Sequence, residues 1–573
     1  MARLKQSGPP GARAADSETM FAGARRRSGS WGAAEWASPW AWAATFVAAL
    51  AAIPLFSIAL AVPFGSTEAL SHLAGSVLPL YVINTLALMT LTGAIAGVIG
   101  TGCAWLIVAT EFPGRRVLAW ALVLPLAVPA YLGAYLYSDL LEFSGPVQTG
   151  LRALTGWSAR DYWFPEVRSL PGGAIILALV LYPYVYLIAR AAFTAQSLSQ
   201  FRAARSLGAR PITAFVQIAL PAARPAIIGG LALVLMEVLA DFGVAEYFAI
   251  PTFSTGIFRS WLAMGDKQAA MGLAAMMLVF VIALVALEAR TRQGRTESKD
   301  TIALGTPGEP LVALSSIGKM LALTACLVPV LLGFAIPALH LITLAASKRA
   351  QSSAGDLMNY ILSSAWLGLA TALVCCAAAI VLIFARARST SAITKASIRL
   401  ATLGYALPGA LLAVGLLAPL GAFDQSVTRF ARDTFGYSGS LLLSGTSVVL
   451  IYALAVRFLT VAYNALEGGL AKIPPSLDAA ARSLGASPGR VLRRIYLPLL
   501  SPSLAAGLAL VMIDTLRELP ATLIMRPFNL ETLATRTYRL ASDERLIEAS
   551  IPAFILLLVG LIPVLLLNRM AAR

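Results

Sequence analysis

The sequence has little of what most catalytic and metal centres are built from. It holds two histidines and four cysteines in 573 residues. His72 and His340 are too few for a histidine-based metal site or proton relay, and no Cys-x-x-Cys or Cys/His cluster exists. Cys103, Cys326, Cys375 and Cys376 all fall inside apolar runs, where a thiol acts as a small packing group. No Gly-x-x-x-x-Gly-Lys-Ser/Thr stretch is present, so the chain lacks the loop that cradles nucleotide phosphates. No catalytic constellation emerges from the remaining residues. Charge is scarce as well: 13% of residues are charged, against about 25% in an ordinary soluble chain.

What remains is apolar. Hydrophobic residues make up 58% of the chain, and the mean hydropathy is +0.78. Runs of about 20 residues recur, each long enough to cross a ~30 Å hydrocarbon core. They predict spans near 40–62, 82–109, 117–141, 171–194, 225–249 and 268–289, then near 318–345, 359–385, 397–420, 440–463, 501–524 and 547–568. The chain is expected to be an all-α membrane protein with about 12 transmembrane helices.

A net charge of +16 would suit nucleic acid if it were concentrated in one patch. Instead the basic residues alternate between connections. Arg25–Arg27, Arg115 and Arg116, Arg202, Arg205 and Arg210, and Arg290, Arg292 and Arg295 occupy one set, and the second half repeats this pattern. The intervening connections mix signs. By the positive-inside rule the basic set faces the cytoplasm, so both termini are expected there, with a lipid bilayer and not nucleic acid as the surroundings. Residues 1–38 read as a polar cytoplasmic tail, and 291–316 as a solvated linker between units 39–290 and 317–573.

The two units are copies. Ala-Arg-Ser-Leu-Gly-Ala occurs at 204–209 and again at 481–486, a shift of 277 residues. The register persists: Pro211 falls on Pro488, Ile218 on Ile495, Leu220-Pro221 on Leu497-Pro498, and Pro225 on Pro502. The recurring pattern is two alanines (Ala203-Ala204; Ala480-Ala481), a glycine (Gly208; Gly485), an isoleucine (Ile218; Ile495) and Leu-Pro (Leu220-Pro221; Leu497-Pro498).

This pattern resembles the EAA loop of permease subunits in bacterial binding-protein-dependent ABC importers. The family's leading glutamate is replaced here by Arg202 in one copy, and by Ala479 preceded by Asp478 in the other. The resemblance implies two tandem six-helix, MetI-like permease repeats related by pseudo-two-fold symmetry. It implies loops that dock two copies of an ATP-binding subunit, which would carry ATP and magnesium, while this chain binds no cofactor. It further implies a periplasmic substrate-binding protein and a place in the bacterial inner membrane. The segments Leu239–Trp261, Leu516–Phe528 and Thr532–Tyr538 look like those of fused ferric-iron permeases. Fused thiamine permeases share the architecture, so thiamine or another small solute is the competing cargo. An ion-gradient secondary transporter is the competing class, but it has no use for two such loops.

Charged groups inside spans point to function. Glu237 and Asp241 are four apart and so share a helix face. Asp514 and Glu518 repeat the pair under the same shift, with Arg517 between them. These are the candidate pathway or gate residues. The four carboxylates are also candidate transient contacts for a hard cation, which prefers oxygen ligands.

Overall fold

The computed structural model describes residues 39–64, 75, 77–195, 201, 203–204, 206–296, 312–347, 354–389, 391–436 and 443–571. The 1–38 tail, Arg202 and much of the 291–316 linker lie outside these. The described chain is helical, with no strand and a single isolated bridge, between Thr110 and Val312. Eleven of the described helices are long and apolar enough to cross a membrane, and a twelfth crossing is broken. The first half contains α1 (Pro39–Phe64), α2 (Leu78–Ala109), α3 (Ala130–Leu141), α4 (Leu170–Ala195), α5 (Leu220–Ala240) and α6 (Lys267–Thr296). The second contains α7 (Ser316–Ala345), then α8 (Ala354–Arg388), α9 (Gly409–Phe435), α10 (Ser447–Leu470), α11 (Leu497–Arg517) and α12 (Leu546–Ala571).

The predicted spans 117–141 and 397–420 are not continuous. In the first, a helix at Arg115–Ala121 and a short turn at Leu124–Ala127 precede α3, with a bend of 92°. In the second, Ala392–Ala401 and a turn at Gly404–Ala406 precede α9. A residue before proline is pushed out of helical geometry by the proline ring. Val128, before Pro129, has φ −87° and ψ 117°, and Leu407, before Pro408, has φ −84° and ψ 123°. The predicted spans 225–249 and 501–524 are also displaced. Helix runs without a break from Pro211 to Ala240 and from Pro488 to Arg517, through π turns at Phe215–Ala219 and Leu492–Tyr496. Pro221 and Pro498 therefore sit just past a π turn inside a continuing helix.

Each half packs α2, α4 and α5, or α8, α10 and α11, into a tight group. The first helix of each half leaves its own group. α1 lies against α8, α9 and the helix Ala392–Ala401, while α7 packs on the Leu124–Ala127 turn, α3 and α4 of the first half. Glycines permit the close crossings. A Cβ at Gly415 would stand 2.8 Å from the Pro54 carbonyl oxygen, and one at Gly333 would stand 2.6 Å from that of Leu179. Hydrogen bonds fix the exchange: the Tyr452 hydroxyl donates to Leu50 O (2.6 Å), and Tyr137 donates to Leu332 O. His340 Nε2 meets Asp139 Oδ2 at 2.6 Å.

Candidate functional site

The helix groups of the two halves enclose a cavity of about 400 Å³. Its wall reproduces the repeat. Under the shift of 277 the lining pairs include Val180 with Arg457, Leu181 with Phe458, Tyr184 with Val461, Glu237 with Asp514, Ala240 with Arg517, Asp241 with Glu518, Phe242 with Leu519, and Gly243 with Pro520. All five candidate pathway residues thus border one space, together with Tyr131 and Tyr405.

The four carboxylates are not alike. α5 ends at Ala240, and Asp241 has an extended backbone (φ −65°, ψ 130°); α11 ends at Arg517, and Glu518 has φ −72° and ψ 128°. The members of each pair are therefore not on one helix face, although they face one cavity. Asp241 accepts from Val244 N and Ala245 N, both at 3.1 Å, capping the short helix Gly243–Tyr247. Glu518 accepts from Ala521 N and Thr522 N, both at 2.9 Å, and from the Thr522 hydroxyl at 2.7 Å, capping Pro520–Met525. It also pairs with Arg457 Nη1 at 3.3 Å. Glu237 and Asp514 cap nothing. Glu237 accepts from the Tyr405 hydroxyl at 3.4 Å, and Tyr184 stands beside both carboxylates and Tyr405. Asp514 lies within electrostatic reach of Arg517, Glu237 and Arg457.

Arg259 and Arg526 pair with other carboxylates: Arg259 with Glu246 at 3.5 Å and Arg526 with Glu531 at 3.8 Å. Tyr131 Oη, Arg457 Nε and Arg517 Nε are buried without a hydrogen-bond partner among the described residues. No three Asp, Glu, His or Cys side chains among the described residues converge as a metal cluster.

Sequence reasoning missed Arg457 and Tyr405. Arg457 sits in the middle of the predicted span 440–463 and, being charged inside a span, carried the same signal as Glu237. Tyr405 carried none, because its place in the wall depends on the turn before Pro408.

The repeated loops are on the face to which α4 and α10 run. Ala203 and Ala204 are helical, as are Asp478, Ala480 and Ala481 in the helix Pro475–Ser483. Each loop helix closes on its glycine: Ala209 N donates to Ala204 O and Ala486 N to Ala481 O, both at 3.0 Å. Gly208 has φ 86° and Gly485 φ 75°, the left-handed geometry of a helix-ending glycine. Ile218 and Ile495 lie in the matching π turns, and Leu220 and Leu497 begin α5 and α11. Leu207 and Leu484, just before the glycines, are almost fully exposed. An exposed leucine at the same place in both copies is a further candidate contact. Its signal lay within the six-residue identity.

Comparison with known proteins agrees with this architecture. The model of the binding-protein-dependent transport system inner membrane component matches residues 40–290 and 376–573. The chain is 26% identical over 495 residues to an Fe(3+)-transport system permease protein of Haemophilus influenzae, covering 86% of this chain and 90% of that one. It is 27% identical over 209 residues to a probable sulfate transport system permease protein of Nephroselmis olivacea, covering 36% of this chain and 70% of that one. It is 29% identical over 184 residues to a probable molybdenum ABC transporter permease protein of Haloferax volcanii, covering 32% and 64%. With two copies of the family domain in one polypeptide, this multi-pass membrane protein belongs to the inner-membrane permease components of binding-protein-dependent transport systems, as a fused, double-length member.

Proposed function

We propose that the chain forms the translocation pathway of an ATP-driven importer that moves ferric iron into the cytoplasm by alternating access. A periplasmic binding protein delivers the ion, and two copies of an ATP-binding subunit dock at the repeated loops. The carrying observation is the charge of the shared cavity. Four carboxylates face two guanidiniums there, and Glu237, Asp514, Tyr184 and Tyr405 place oxygen atoms from both halves together. The relatives include permeases named for oxyanions as well as for iron. A wall with more acids than bases repels sulfate or molybdate and favours a cation. Hard, highly charged cations take oxygen ligands. A loose arrangement suits a carrier, since cargo held by a complete ligand cage is slow to leave.

On this reading the loops and both termini face the cytoplasm, Glu237 and Asp514 meet the cargo, and Asp241, Glu518, Arg457 and Arg517 hold the gate around it. Reconstitution with its ATP-binding subunit and binding protein in proteoliposomes tests the cargo. ATP-dependent uptake of radiolabelled ferric iron is expected, with none of thiamine, sulfate or molybdate. Uptake of thiamine without iron would transfer the proposal to the thiamine importers, and uptake of an oxyanion would refute the charge argument.

A further inference from the structure

The face opposite the repeated loops carries two helices that expose large apolar side chains and bury polar ones. After α3 the chain turns through Phe143 into a helix at Pro146–Thr155, and α9 runs on unbroken to Phe435. The two segments correspond under a shift of 280: Phe143 falls on Phe423, Val147 on Val427, Arg152 on Arg432, and the left-handed end glycine Gly156 (φ 71°) on Gly436 (φ 66°). Several of their polar side chains turn inward, while Gln425, Ser426, Arg429 and Arg432 of α9 stay exposed beside the apolar groups. Gln148 is 7% exposed; it donates to Leu141 O at 2.7 Å and accepts from the Tyr162 hydroxyl at 2.8 Å. Arg152 donates to Phe143 O at 2.7 Å and to Tyr162 at 2.9 Å. In α9, Asp424 is fully buried and accepts from Leu443 N (3.0 Å) and Ser444 N (2.6 Å), and Thr428 is buried beside it.

Their apolar sides turn outward. Val147 and Leu154 are exposed on the first helix, Leu154 by 89%; Phe423 and Phe430 are exposed on the second, Phe430 by 64%. Trp163, close by in sequence, is 86% exposed. A helix facing only water would bury such large apolar groups.

We infer that Pro146–Thr155 and the outer end of α9 lie in the lipid interface on the face opposite the loops, with Val147, Leu154, Phe423 and Phe430 among phospholipid acyl chains. Continuity carries the choice of occupant. α9 is one unbroken helix from Gly409 to Phe435 and is itself long and apolar enough to span, so its exposed stripe extends the lipid-facing surface of a membrane span. Helices with this composition lie at the headgroup–acyl boundary, and tryptophan concentrates there. Related interfacial segments would brace the third crossing of each half.

The test uses single cysteines at Val147, Leu154, Phe423 and Phe430, with Ser158 and Asp433 as controls. The native cysteines are buried, and the unaltered chain supplies the labelling background. Each variant, labelled with an environment-sensitive fluorophore, is placed in phosphatidylethanolamine–phosphatidylglycerol vesicles with or without dibrominated acyl chains. Brominated lipid is expected to lower emission about twofold or more at the four stripe positions, and little at the controls. Emission quenched by aqueous iodide and indifferent to brominated lipid would overturn the inference. So would protection from iodide on adding the binding protein, which would make the stripe a protein-docking surface.

Discussion

Among the carboxylates of the cavity, position relative to a helix end separates the roles. Asp241 and Glu518 sit one residue past α5 and α11 and accept from backbone N–H groups, Asp241 through Oδ2 alone and Glu518 through both oxygens. A cap of this kind contributes about 1 kcal/mol. Glu518 also compensates Arg457, and stripping one partner from a buried pair costs about 3–5 kcal/mol. Glu518→Ala should therefore lower the thermal midpoint in detergent more than Asp241→Ala. Adding Arg457→Met should restore much of the loss, because the uncompensated guanidinium is gone. An equal loss with and without Arg457→Met would show that the pair does not set stability. Glu237 and Asp514 hold no cap, so Glu237→Gln with Asp514→Asn should leave the midpoint unchanged. Iron uptake should fall roughly tenfold, the equivalent of about 1.5 kcal/mol of charged contact. Unchanged uptake by that folded double variant would remove these residues from the pathway. The importance of these residues was legible from the cost of charge inside a span. Their division into caps and free groups was not, since it depends on helices ending a few residues earlier than the apolar runs.

Among the helices and loops, the repeat was the most legible feature, because identical segments fold identically. Matching π turns, loop closures and end glycines all sit where the 277 shift puts them. The breaks at Pro129 and Pro408 were also written in the sequence, but the continuing apolar run masked them. The offset is 279 at these breaks and 280 in the outer helices, against 277 at the cavity wall and the loops, so the outer helices correspond only after realignment. Their apolar stripes were hidden in segments that look like loops because Asp, Arg and Gln interrupt them. At the repeated loops the glycine conformation is decisive. Open space surrounds both Gly208 and Gly485, so a larger side chain there meets no clash. Its cost is the left-handed backbone alone, about 1–2 kcal/mol per site and more for a β-branched residue. Gly208→Val with Gly485→Val should thus leave the membrane core folded while misdirecting both loop helices. ATP hydrolysis by the reconstituted complex should lose its dependence on loaded binding protein, and transport should fall. Full coupling in the double variant would rule out the loops as the docking elements. Leu207→Asp or Leu484→Asp should weaken retention of the ATP-binding subunit on affinity resin, for the same reason at a single exposed contact.

In the whole molecule, the units that repeat are not the units that pack. Sequence periodicity divides the chain near the 291–316 linker, yet α1 packs chiefly on the second half, and α7 packs between α12 of its own half and the first half. Nothing local could reveal this, since a lipid-facing apolar helix reads the same whichever neighbour it has. The exchange buries small-residue crossings at Gly415 and Gly333 and adds the Tyr452–Leu50, Tyr137–Leu332 and His340–Asp139 contacts across the halves. Those interactions do not need the covalent linker, because each is made between helices inside the membrane. Two fragments, 1–303 and 304–573, produced together should therefore copurify in detergent and, with their partners, support ATP-dependent transport. Removing residues 1–64 from the first fragment should abolish the pairing more severely than removing the linker. It would strip α8 and α9 of the helix that covers them and leave the Tyr452 hydroxyl without its acceptor. Fragments that fold separately and fail to associate would show that the linker, and not the exchanged helices, holds the two halves around the cavity.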